Sequence, residues 1–113
     1  EDAVKAGVGA ILEEFGRLDQ AIANAGISIR RKDLFDISLA DFQKMEGVNL
    51  HGVLFTLREA ARHMVERAKG ILMKMRGLSE EQAFALLRQT AMNEKKKLAD
   101  IAQSVVTAAG LLL

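Results

Sequence analysis

Residues 38–76 hold apolar side chains at three- and four-residue steps and contain no proline, which is missing from the whole chain. Phe42, Met45, Val48, Leu54, Leu57, Ala61 and Met64 form one stripe, and no breaker separates them from residues 68–75. This spacing places the apolar groups on one face of an α-helix. Ser38, with Asp41 three residues later, supplies a start signal, and Gly77 supplies a stop. The helix so predicted has about 38 residues and a length on the order of 55 Å. Gly47 and Gly52 are the points where a kink costs least. A chain of 113 residues is too small to bury so long a stripe within itself, which predicts a partner helix from a second copy.

The rest of the chain arranges itself around that helix. Val4, Val8, Ile11 and Phe15 predict a first amphipathic helix, stopped by Gly16. Residues 18–25 form a short apolar run that ends at Gly26 and suits a buried strand, although Gln20 and the alanines weaken it. Residues 27–37, with Arg30, Arg31 and Lys32 in a row, are polar and read as a loop. Ser79 with Gln82 makes a second capping pattern. Ala83, Leu86, Leu87 and Ala91 are the stripe of a helix that gives way around Asn93, and Leu98, Ile101, Ala102, Val105, Ala109 and Leu112 are the stripe of the last. Three short amphipathic helices with brief connections pack as a bundle. The expected fold is mainly α: a long central helix and a C-terminal three-helix bundle, with at most one short β-strand per chain, paired across a dimer if it forms.

Composition narrows the function classes. The chain lacks Cys, so disulfides and thiolate metal sites are excluded, and its apolar runs fall far short of the roughly 20 residues of a membrane span. It opens at Glu1 without an initiator Met or a signal-peptide pattern, and reads as an excised or processed piece in a cytoplasmic setting. Charge is unevenly divided: eight basic residues face eleven acidic ones through Glu66, and eight face four after it. The second part has the sign a polyanion partner requires.

Two stretches in the first part, FGRLDQAIANAGI (residues 15–27) and VNLHGVLFTLREAARHM (residues 48–64), resemble the short-chain dehydrogenase/reductase family. The resemblance covers roughly residues 3–65. It implies that Ala23, Asn24, Ala25 and Gly26 stand for the family's turn after its fourth strand. Asn49 would stand for the asparagine of its catalytic tetrad, on a helix that builds a subunit interface. The departures from the pattern are large. No Gly-rich turn precedes Val4 to cradle a pyrophosphate, the family's catalytic Ser and Tyr-x-x-x-Lys pair are absent, and the chain has no Tyr at all. Without that proton donor and its lysine, Asn49 has no hydride chemistry to serve. One strand without neighbours is also not a sheet, so residues 18–25 either pair with a second copy or give up strand form.

From Ala68 onward, AKGILMKMRGLSEEQAFALLRQTAMNEKKKLADIAQSVV resembles the ANTAR family, three-helix domains that bind RNA hairpins as bacterial transcription antiterminators. The resemblance implies a dimerising coiled coil before the bundle, where the dehydrogenase-like helix now runs. The domains expected are residues 1–65, a dehydrogenase-like helix-strand-helix fragment, and residues 66–113, an ANTAR-like domain, joined by a continuous helix. A shuffled or designed chimaera without evolved activity is the leading reading. An RNA-hairpin-binding module is the alternative, and a fragment that still binds nucleotide ranks last.

RNA binding needs clustered cations for phosphates. The candidate contacts are Lys69, Arg76, Arg88, Lys95, Lys96 and Lys97, with Lys74 beside them. Lys69 stands out because its small neighbours Ala68 and Gly70 let another chain approach. Phe84, the one aromatic of this part, is expected to point into the bundle, leaving shape and phosphate contacts to dominate. No catalytic, cofactor or metal residues are assigned. His51 and His63, 12 positions apart, do not read as a metal site, the five Met residues read as core filler, and Ser79 reads as a cap. Leu111, Leu112 and Leu113 are expected to bury against a second subunit. The partners implied are a second copy and, on the alternative reading, RNA, with no membrane and no small-molecule substrate.

Overall fold

A computed structural model describes residues 1–30 and 33–112 and is mainly α, with no strand among the described residues. It contains α1 (Asp2–Phe15), a 3-10 turn (Leu34–Asp36), α2 (Leu39–Glu46), a π turn (Gly47–His51), α3 (Gly52–Arg76), α4 (Glu80–Glu94) and α5 (Leu98–Leu112). The chain divides into two compact units, Glu1–Ala60 and Ala61–Leu113, with α3 supplying residues to both.

In the first unit, α1 ends where the sequence predicts. Gly16 takes the left-handed conformation at φ 73° and donates its N–H to the Leu12 carbonyl at 2.8 Å, the position where a residue without Cβ is least strained. Of the expected stripe, Val8 is buried, while Ile11 and Phe15 face outward. Glu1 pairs with Lys5 one turn on and with Arg58 of α3.

Residues 18–25 give up strand form. A lone parallel strand would leave both edges of its backbone unpaired, and here a side chain takes over at one point. Asn49, in the π turn, accepts a hydrogen bond from Ile27 N–H and donates Nδ2–H to the Ile27 carbonyl, each at 2.8 Å. Its amide thus mimics a neighbouring strand across 22 positions of chain. Arg31 and Lys32, expected in the loop, lie outside the described residues.

Ser38 caps α2 by accepting Asp41 N–H at 3.1 Å. The long helix then departs from a uniform α-helix: its path continues through residues 39–76, but Gly47–His51 is wound as a π turn. The two glycines where a kink was cheapest, Gly47 and Gly52, bound this turn, and Gly52 donates its N–H to the Gly47 carbonyl. One wide turn rotates the stripe relative to ideal α-helical spacing.

The second unit contains residues 61–76 of α3 with α4 and α5. Gly77 turns the chain at φ 64°. Ser79 and Gln82 complete a reciprocal capping box, with Ser79 Oγ accepting Gln82 N–H at 3.1 Å and Gln82 Oε1 accepting Ser79 N–H at 2.9 Å. The core is alanine-rich: Ala68, Ala83 and Ala102 are fully covered beside Leu87, Ile101, Val106 and Ala109. Small side chains let helices approach closely, and Leu87 is the largest side chain fully buried. Leu111 and Leu112 are exposed on the single chain, and Leu113 lies outside the described residues.

Candidate nucleic-acid interface

Arg88 lies mid-way along α4 and is exposed. Arg76 ends α3, in a last turn it shares with Lys74, where a cation suits the negative end of the helix dipole. Lys95, Lys96 and Lys97 form the turn between α4 and α5, and all three are exposed. In chain order Arg76 precedes the first turn of α4 and the three lysines come after its last, so the cations are strung along about 20 Å of helix. Arg88 and Lys95 are about two helical turns apart.

The turn that carries the lysines is itself strained. Lys95 holds φ 54°, the one non-glycine residue with positive φ among those described. Its N–H and that of Lys96 close the end of α4 on the Met92 and Ala91 carbonyls at 3.3 and 2.9 Å. A side chain with Cβ is disfavoured in this conformation, yet a lysine stands where a glycine cap is usual. Lys96 has only a loose ion pair with Glu94 at 3.9 Å, so this cluster meets solvent largely uncompensated.

Lys69 is arranged differently. Its side chain is 10% exposed, and its ammonium donates to Glu66 Oε1 and Glu80 Oε1, each at 2.9 Å. Those hydrogen bonds, Glu66 first and Glu80 second, hold the Lys69 ammonium above the usual lysine range. Two carboxylates around one ammonium leave a locally negative site. Lys69 is thus a brace between α3 and α4, and not the open cation expected from its small neighbours.

Phe84 also departs from expectation. It is 39% exposed, with the Lys69 ammonium 5.8 Å from its ring centroid, a cation–π distance. The adjacent Ala83 and the next-turn Leu87 are buried, while the phenyl keeps part of its surface open. Arg67 escapes a reading by pattern altogether: its Nη1 is buried without a hydrogen-bond partner. Its position between Glu66 and Ala68 carries no sign of that burial.

The dehydrogenase-like residues of the first unit take a structural arrangement. Asn49 is committed to Ile27, and a Cβ added to Gly26 would stand 3.5 Å from Asn49 Oδ1, in ordinary contact. A cleft of about 350 Å³ lies beside Asn24, lined by Val4, Ile22, Gly47, Val53 and the acidic Glu1. Its lining joins apolar surface and the Glu1 carboxylate to the neutral side chains of Asn24 and Thr56, with no lysine or arginine among the described lining residues to meet a pyrophosphate. His51 packs a tilted ring 6.3 Å from Phe55, and no group of metal-binding side chains occurs among the described residues.

Residues 56–106 match the ANTAR domain. The nitrate regulatory protein of Klebsiella oxytoca is 37% identical over 71 residues, covering 61% of this chain and 18% of that protein. The first part resembles short-chain dehydrogenases. Gluconate 5-dehydrogenase of Gluconobacter oxydans is 36% identical over 83 residues, 74% of this chain and 32% of that enzyme. A short-chain dehydrogenase/reductase of Armillaria gallica is 37% identical over 70 residues, 62% of this chain and 26% of that protein. The chain therefore spans a third or less of each of these relatives. No solved structure matches it.

The two resemblances overlap. The ANTAR match begins at Thr56, inside the dehydrogenase-like stretch, and the 71 residues shared with the regulatory protein outnumber the residues after Glu66. The 83 residues shared with gluconate 5-dehydrogenase outnumber the residues before it.

Proposed function

We propose that this chain is a non-catalytic RNA-hairpin-binding module of the antiterminator type, acting as a homodimer in the cytoplasm, with residues 66–113 as its functional domain. The observation that carries this reading is the ANTAR match over residues 56–106, on a segment that presents Arg76, Arg88, Lys95, Lys96 and Lys97 outward. Phosphates are gripped by exposed cations with few competing carboxylates, and the lysine turn after α4 meets that condition best. Lys69 serves from inside, fixing the angle between α3 and α4 on which the outer cations depend. Residues 1–65 act as a dimerising segment in place of a coiled coil.

A second reading, a shuffled or designed chimaera without evolved activity, draws support from two unlike resemblances in one chain. Saturable binding of a labelled hairpin RNA at about 50 mM salt, monitored by fluorescence anisotropy, separates the two. The module binds, and a chimaera without activity leaves the anisotropy flat.

A further inference from the structure

We infer that Phe84 is a stacking platform for an unpaired base of the bound RNA, so that the domain reads a single-stranded loop as well as a charged backbone. This deepens the RNA-binding reading and rests on it. A phenyl ring in an amphipathic helix normally turns into the core. Phe84 instead stays 39% exposed, beside the buried Ala83 and Leu87. The ring is not loose, since the Lys69 ammonium lies 5.8 Å from its centroid and is itself tied to Glu66 and Glu80 at 2.9 Å. An aromatic surface held in place from one side costs little further ordering when a second ring settles on it.

Electrostatics sorts what settles there. With Glu66 and Glu80 bonded to Lys69, the ammonium beside Phe84 is already compensated and gives a phosphate little to grip. A neutral base with a π face needs no such grip. Arg88 stands four residues beyond Phe84, hence on the same side of α4 one turn away, and it is exposed. Its planar guanidinium suits the phosphate flanking a base stacked on Phe84. The class of ligand this selects is an RNA with unstacked loop nucleotides beside a paired stem.

The chain has no Trp and no Tyr, so Phe84→Trp in the full chain introduces a single emitting side chain at the platform. Its emission should be quenched on saturation with a hairpin RNA that carries a single-stranded loop, and unchanged with a fully paired RNA duplex of equal phosphate count. Phe84→Leu, which keeps apolar bulk and removes the ring, should weaken hairpin binding about tenfold and leave duplex binding as in the parent. Unquenched emission in the bound hairpin complex, or parental hairpin affinity in Phe84→Leu, overturns the inference and leaves RNA binding standing. No RNA binding by the parent chain removes both.

Discussion

At the residue scale, two lysines with the same formal charge have opposite uses. Lys69 directs its charge within the fold, to carboxylates 2.9 Å away, while Lys95 holds an unfavourable left-handed conformation and offers its charge outward. Lys69→Met keeps the buried stem but leaves Glu66 and Glu80 without the cation they share, so it should lower the melting temperature at neutral pH; melting identical to the parent's would refute the brace. The Lys69 ammonium is held above the ordinary range. Its stabilisation is therefore complete below the unfolded lysine value of about 10.4 and is lost as pH rises through the higher folded value. Thermal melting of the parent should drop at that alkaline edge, and Lys69→Met should flatten the drop. Lys95→Gly relieves the strain at the end of α4 and should raise stability by about 0.5–1 kcal/mol while lowering RNA affinity, a split visible by melting and binding the same variant.

At the element scale, the helix ends were legible and the long-range contacts were not. Gly16, Ser38, Gly77 and Ser79 act on backbone groups within four residues, so their signals are local, and α1, α2, α3 and α4 each begin or end at one of them. The π turn needs a count of hydrogen bonds that spacing alone does not reveal, although Gly47 and Gly52 marked its limits. Asn49 reaches Ile27 across 22 positions, Lys69 reaches Glu80 across 11, and Phe84 stays 39% exposed beside the buried Ala83 and Leu87. Each of these depends on how separate segments meet, which periodicity does not encode. The apolar run 18–25 suited a strand by composition, and without neighbouring strands it lost that form. Asn49→Ala removes both hydrogen bonds to Ile27 and should destabilise the first unit by about 1–2 kcal/mol. Hydrogen exchange at the Ile27 amide should accelerate accordingly; an unchanged rate would show that the amide bridge does not hold the segment.

At the scale of the whole molecule, the first unit covers little of its apolar surface. Leu50, Leu54 and Leu57 repeat at helical spacing and are 60%, 55% and 47% exposed, with Phe42 and Phe35 also open. Exposed leucines at this density mark a surface suited to association, and a second copy would present the same stripe. Sedimentation should give twice the 12.4 kDa chain mass for the parent and a monomer for the pair Leu54→Glu and Leu57→Glu; a monomeric parent would contradict the dimer. The charge asymmetry, the outward cations and the ANTAR match all support RNA binding by the second unit.

The salt dependence of hairpin RNA binding tests that assignment most directly. Between about 50 and 200 mM salt the logarithm of the parent's affinity should fall linearly with the logarithm of salt concentration, and Arg88→Ala with Lys96→Ala should make the slope shallower by about one to two. An identical slope and affinity in the variant, or no binding by the parent at the lowest salt, would contradict the account.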